Sequence, residues 1–238
     1  MKIDILAIGA HPDDVELSCS GTLMRHISFG KTVGMLDLTR GELGTRGNAE
    51  QRRKEAAEGA RIIGARFRDN MEFKDGFFEN NPEHQLRLIA RFRKYCPDII
   101  LCNATNDRHP DHGRAAKLVS EAAFYSGLRK VVTEEEGKEQ APWRPKAIYH
   151  YVQDRHMKPD LLIDISPWMN QKIESIKAYT SQFFNPGSTE PETPISTSQF
   201  MEFLIARNRH HGRDIGVDFA EAFTVERCPG VNNLFDLR

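Results

Sequence analysis

The sequence predicts an α/β fold, a mainly parallel sheet sandwiched by helices, with residues 1–238 forming a single domain. Three observations predict it. Short apolar runs of strand length alternate with longer stretches of helical spacing along most of the chain. Polar loops rich in glycine or histidine follow the apolar runs, and in open parallel sheets ligands bind there, beyond the carboxyl ends of the strands. The chain of 238 residues, 39% of them hydrophobic, is long enough for one well-buried core and close to the size at which a single core stops growing.

Taken in order, residues 3–8 form a strand that passes through Ala10-His11-Pro12-Asp13-Asp14-Val15-Glu16 into a helix over 17–29. One histidine and two acids within four residues is dense chemistry for a tight turn, although Asp13 or Asp14 alone would read as a helix cap. A second strand, 32–38, feeds the glycine-rich loop 39–47 and a helix over 49–63 that Gly64 closes. Glu42, Arg46 and Arg52 are the charged groups best placed to reach a site at this edge. Arg53 and Lys54, beside Glu55 and Glu58, read as a solvated helix face. A weaker extended stretch, 65–75, ends at the turn Lys74-Asp75-Gly76. Asn81 and Pro82 then start a helix that runs to Tyr95, with Leu86, Ile89, Ala90 and Phe92 as its core face and His84 on the surface.

A further strand, 97–103, leads to Asp107-Arg108-His109-Pro110-Asp111-His112 and a helix over 114–125. The polar, acidic segment 129–145 reads as a loop. Strands at 147–152 and 161–165, joined by 153–160, bring the sheet to at least five. Ser166-Pro167 begins a helix over 168–182, the irregular stretch 183–196 is placed over the site as a substrate loop, and a last helix over 199–211 stops at Gly212. Adjacent helical positions diverge, so His210 and His211 read as surface or interface residues.

Two strands thus hand a His-Pro-Asp tripeptide to the helix that follows. Two such turns at one sheet edge can converge on a metal ion, since imidazole and carboxylate are ordinary zinc ligands. Charge is balanced, 33 basic against 34 acidic residues, which argues against nucleic acid or an anionic membrane as partner. No stretch approaches the roughly 18 apolar residues of a membrane helix, and no secretory leader is evident, so a cytoplasmic protein is expected. Cys19, Cys96, Cys102 and Cys228 show no paired spacing and read as buried thiols.

The His11-to-Glu16 motif, Arg52-x-x-Glu55 and His109-Pro110-Asp111-His112 together resemble the LmbE-like, or PIG-L-like, family of zinc-dependent N-acetylglucosamine deacetylases. Further matches resemble the bacillithiol-biosynthesis branch: 37–43, Arg108, Lys158-Pro159-Asp160, Ser181-Gln182-Phe183, Ile215-Gly216-Val217 and 220–223. The resemblance implies a Rossmann-like, LmbE-like fold and a hydrolase that releases acetate from N-acetylglucosaminyl-L-malate. Related activities are deacetylation of diacetylchitobiose or chitooligosaccharides and cleavage of bacillithiol conjugates. It also implies a homo-oligomer, trimer or hexamer, and one Zn2+ per subunit on His11, Asp14 and His112, with another divalent metal as the alternative. Three protein ligands with an open position is the pattern of catalytic zinc, which activates a water near neutral pH.

By the same resemblance Asp13 is the general base, His109 the oxyanion donor or general acid, and Asp111 the carboxylate that orients His109. Glu42, Arg52 and Asp75 match substrate-binding positions, and Arg52 and Arg108 suit the malate carboxylates. Some relatives add a tyrosine, and residues 183–201 contain none. Three rivals fit less well. A glycosidase would give the histidines no role, a two-metal phosphoesterase needs more ligands, and a non-catalytic sugar- or metal-binding protein leaves Asp13 without a task.

Overall fold

The computed structural model describes residues 1–183 and 187–237. In chain order it runs β1 (Ile5–Gly9), α1 (Asp14–Ser18), α2 (Ser20–Ser28), β2 (Val33–Thr39), α3 (Ala49–Ile63), β3 (Phe67–Phe73), α4 (Pro82–Tyr95), β4 (Ile99–Cys102) and α5 (Pro110–Ser126). A small hairpin, β5 (Glu134–Glu135) and β6 (Lys138–Glu139), precedes β7 (Ala147–Tyr151) and β8 (Leu161–Asp164). The short 3-10 turn Ser166–Trp168, α6 (Met169–Lys177), α7 (Ser198–Asp214) and β9 (Ala220–Val225) follow, and a second 3-10 turn lies at Leu234–Asp236. Of the irregular stretch 183–196, residues 184–186 lie outside the described residues.

The main sheet has seven strands in the order β3-β2-β1-β4-β7-β9-β8. The first five are parallel, and β9 runs antiparallel to both β7 and β8. Because β1 pairs with β2 on one side and β4 on the other, the direction of winding reverses between β1 and β4. The crevice beyond their carboxyl ends is the topological switch point, where an open α/β sheet offers a binding site.

Strand pleating sends alternate side chains to opposite faces, and both faces are covered. Leu6, Ile8, Leu36 and Ile100 pack with Leu88, Phe92 and Val119 of α4 and α5. Ile5, Ala7, Met35 and Leu101 pack with Val15, Leu23 and Ile63 of α1, α2 and α3. Two caps match their sequence signals: Asn81 accepts from the His84 amide ahead of Pro82, and Gly64 closes α3 in the left-handed region at φ 84°.

Other elements differ from expectation for identifiable reasons. The single helix expected over 17–29 is two helices, broken at Cys19. Buried Lys172 donates to the carbonyls of Glu16 and Leu17 (3.0 and 2.9 Å) at the end of α1. Buried Glu221 accepts from the amides of Gly21 and Thr22 (3.0 and 2.7 Å) at the start of α2. The two side chains pair at 2.8 Å and satisfy the backbone groups exposed by the break. The helix expected over 168–182 is shorter, and α5 starts at Pro110, so the second motif lies in its first turn. α7 continues through Gly212, which is a site of close approach: an added Cβ would lie 2.7–2.8 Å from the 217–219 backbone. Leu86 is 43% exposed, and Leu88 takes the core position. His211 is buried. Among the described residues, no helix is long and apolar enough to cross a membrane.

Candidate metal and catalytic site

The turn after β1 is held from below and from both sides. Gly9 allows a close return of the chain, since a Cβ there would lie 2.8 Å from the His11 carbonyl oxygen. The Ala10 amide donates to Asn103 Oδ1 and the His11 amide to Asp14 Oδ2, each at 2.9 Å. Asp13 occupies the N-cap position of α1 with φ at 120° and makes no side-chain cap bond. A non-glycine residue in that region is strained, a state that clusters at functional sites. The capping explanation of Asp13 therefore fails, and its carboxylate faces the cavity. Glu16, at the end of the motif, has a structural contact set: Arg68 Nη1 and the Tyr179 hydroxyl donate to its Oε1, and Arg68 also grips Asp37.

The loop after β4 supplies the opposite wall. His109 caps α5 by accepting the Asp111 amide on Nδ1 at 3.2 Å. In the neutral ring this leaves the proton on Nε2. One turn on, His112 Nδ1 lies 2.6 Å from Asp107 Oδ2 and its Nε2 lies 3.2 Å from Asp14 Oδ1. Asp14 also accepts from Asn103 Nδ2 (2.9 Å) and Gln153 Nε2 (2.5 Å), and its Oδ2 lies 3.7 Å from His11 Nδ1. His11 Nε2 lies 3.1 Å from Asp75 and 3.3 Å from Asp111.

His11, Asp14 and His112 thus converge, with Asp14 between the two rings. Ligand atoms of His11, His109 and His112 fall within 4.8 Å of one another, as do those of His11, Asp75 and Asp111. This donor set fits a divalent metal. Two imidazoles and a carboxylate suit zinc, and His112 carries on its far nitrogen the buried carboxylate that typically orients a metal-binding imidazole.

Electrostatics follow from burying five acids beside three histidines. Burial would raise the Asp14 carboxyl, but His112 and His11 more than offset it and hold it well below the usual range. Burial opposes charge on His11 and His112, yet their carboxylate neighbours raise both, His112 to about 9. Burial also pushes Asp13 up to about 7 against the pull of Arg52, with Asp14 adding to the rise. His109 is lowered, first by burial and then by His11 and His112.

The remaining sequence candidates separate. His11, Asp13, Asp14, His109 and His112 line a cavity of about 280 Å³, with Asp75, Arg52 and Arg108 also on its wall. Arg52 is buried and donates to Asp13 Oδ2 (3.2 Å) and Gln182 Oε1 (2.5 Å), so it braces the base candidate. Gly41, at φ +65°, makes room for that guanidinium, since an added Cβ would overlap Arg52 Nη1. Arg108 is exposed and paired with Asp154 at 2.5 Å.

Two expectations change. Glu42 is not on the cavity wall: its carboxylate accepts the amides of Arg40 and Asp75 (3.2 and 3.1 Å) and ties two loops together. The Asp111 carboxylate faces His11, the Gly76 amide and Arg114 instead of the His109 ring, because His109 is oriented by the Asp111 backbone.

Sequence reasoning missed Asn103, Asp107 and Gln153. All three stand just beyond the carboxyl ends of β4 or β7, so a search of every strand end for polar residues would have found them.

The family profile for PIG-L, GlcNAc-PI de-N-acetylase, matches residues 6–123, which include both His-Pro-Asp turns. A conserved protein of Thermus thermophilus with a crystal structure is 36% identical, with 98% of each chain covered and a TM-score of 0.85. An N,N'-diacetylchitobiose deacetylase from Pyrococcus horikoshii, solved with its inhibitor MPG, is 25% identical at a TM-score of 0.78, covering 93% of this chain and 83% of that one. A diacetylchitobiose deacetylase of Thermococcus kodakarensis is 28% identical over 189 residues, 75% of this chain and 70% of the relative. With the paired turns and the sheet order, these similarities show that the chain belongs to the PIG-L/LmbE-like deacetylase family.

Proposed function

We propose that the chain is a zinc-dependent hydrolase that removes the N-acetyl group of N-acetylglucosaminyl-L-malate, giving glucosaminyl-malate and acetate. The observation that carries the reaction class is the convergence of His11, Asp14 and His112 beside an uncapped, strained Asp13 in one cavity. Zn2+, one per subunit, would be held by those three residues and supplies Lewis acidity toward water and the amide carbonyl.

The chain's own groups do the rest. Asp13 takes the proton of the attacking water and returns it to the amine nitrogen as the C–N bond breaks, while Arg52 fixes its carboxylate. His109, with its Nε2–H free, donates to the oxygen on which charge develops. Asp111 and Asp75 hold His11. Asp107 holds His112, and Asn103 and Gln153 hold Asp14. Arg108 at the exposed rim is the cation for a malate carboxylate. The substrate is a small acetylated amino sugar, and the protein is read as a single-domain cytoplasmic homo-oligomer, trimer or hexamer, which light scattering tests.

The names of the relatives favour a second reading, diacetylchitobiose as substrate. Acetate release by the zinc-loaded protein decides between them, with the malate glycoside, diacetylchitobiose and free N-acetylglucosamine as substrates. Release from the malate glycoside, lost by 10²–10⁴-fold or so in Asp13→Asn, is expected. Turnover of diacetylchitobiose alone overturns the substrate, and no release from any of them overturns the reaction.

A further inference from the structure

α7 leaves the cavity wall at Arg207 and ends about two turns later in a second cluster of ligating side chains. One nitrogen each from His210 and His211 and one Asp214 oxygen lie within 4.8 Å of one another. None of the three lines the cavity. His210 and Asp214 are one helical turn apart and share a face. His211 is only 3% exposed, and its enclosed Nδ1 has no hydrogen-bond partner. Buried polar nitrogens are nearly always bonded, so an unpartnered nitrogen on an imidazole that belongs to such a cluster calls for an occupant.

We propose that the last turn of α7 holds a second divalent-cation site, formed by His210, His211 and Asp214 and suited to a borderline ion such as Zn2+, Co2+ or Ni2+. Imidazole with carboxylate is the ligand set for such ions. The cation would also sit at the carboxyl end of a 17-residue helix, where the helix dipole favours positive charge. Arg207, on the preceding turn of α7, donates to the Leu17 carbonyl at 3.0 Å. His156 stands beside the cluster, its ring edge-on to that of His210 with centroids 6.3 Å apart.

The test is ion stoichiometry in full-length protein stripped with a chelator, titrated with Zn2+ by calorimetry and with Co2+ by visible absorption. Wild type, the double variant His210→Ala/Asp214→Ala and Asp14→Asn are compared. Both substituted α7 residues are exposed, so folding is preserved, which circular dichroism checks. One ion per chain is expected to be lost in the double variant and kept in Asp14→Asn. Its affinity should fall by more than the roughly 10–100-fold cost of deleting an outer-shell partner. His211→Gln should weaken the same ion, and the rate of acetate release should be unchanged in the double variant. Stoichiometry and affinity left intact by the double substitution overturn the proposal. Because the decisive ion is the one that survives Asp14→Asn, failure of the deacetylase reading would not mimic either result.

Discussion

Asp107→Asn is the sharpest probe of how the site is held. The wild-type carboxylate divides its two oxygens: Oδ2 lies 2.6 Å from His112 Nδ1, and Oδ1 accepts the amides of Arg155 (2.8 Å) and Asp154 (3.2 Å). Asparagine keeps the size but has one acceptor oxygen, so either the imidazole or the two amides must face an NH2 group. The ring then loses a charged partner that fixes its tautomer and raises its basicity as a ligand. Such outer-shell losses typically cost about 10–100-fold in metal affinity, or roughly 1.4–2.7 kcal/mol. Loss of one charge-assisted hydrogen bond should also lower folding stability by about 1.5–3 kcal/mol. Zinc affinity is read by competition with a chromophoric chelator, and stability by urea unfolding with excess chelator, which separates the two effects. A folded variant that binds zinc within about twofold of wild type would refute the claim that Asp107 acts through a metal-binding His112.

Two further outcomes follow from buried charges. Lys172→Met leaves Glu221 and two helix-end carbonyls without their cation, at a cost of about 3–5 kcal/mol. In thermal unfolding the midpoint should drop by about 10 °C, and a change within error would mean that water replaces the lysine. His211 sets an acid sensitivity: its folded pKa of about 4 lies below the ordinary 6.5, so the folded state resists protonation. Stability from this group is complete above pH 6.5 and declines as pH falls toward 4, by on the order of 2–3 kcal/mol. Urea unfolding in chelator at pH 7 and pH 4.5, compared with His211→Gln, should show that slope only in wild type.

What the sequence made legible was local. The alternation of strand and helix, the Asn81 cap, the Gly64 terminus and both His-Pro-Asp turns are written within windows of a few residues, and the structure places the turns together at the crevice between β1 and β4. What was not legible depends on distant partners. The break at Cys19 is made by Lys172 and Glu221, more than 150 residues away, and periodicity within 17–29 carries no trace of them. In the strand β9, Glu221 spoils the apolar run that would mark a core strand. Leu86 and Leu88 lie on nearly opposite sides of an ideal helix, about 160° apart, and choosing between them requires knowing which side faces the sheet. At the site, spacing could bring histidines and acids to one edge. It could not say that Asp111 turns to His11, or that both Glu42 oxygens are taken by backbone amides.

The position of β9 has a consequence for the order in which the molecule can be assembled. Among the described residues, β8 joins the main sheet only through β9, and β9 is also the second neighbour of β7. As the chain leaves the ribosome, β1 to β4 and β7 can pair in sequence order, but residues 161–164 have no sheet partner until residues 220–225 emerge. The same late strand delivers Glu221 to the break between α1 and α2 and accepts the Val152 amide next to Gln153, the residue that holds Asp14. A nascent chain can therefore build most of its sheet early, with Asn103 and Gln153 already on the first turn, while the contacts behind it from Glu221 and Ala222 wait for the last strand. The metal-binding geometry is then completed in a late step of folding that closes contacts of high sequence separation, the slow class of contact.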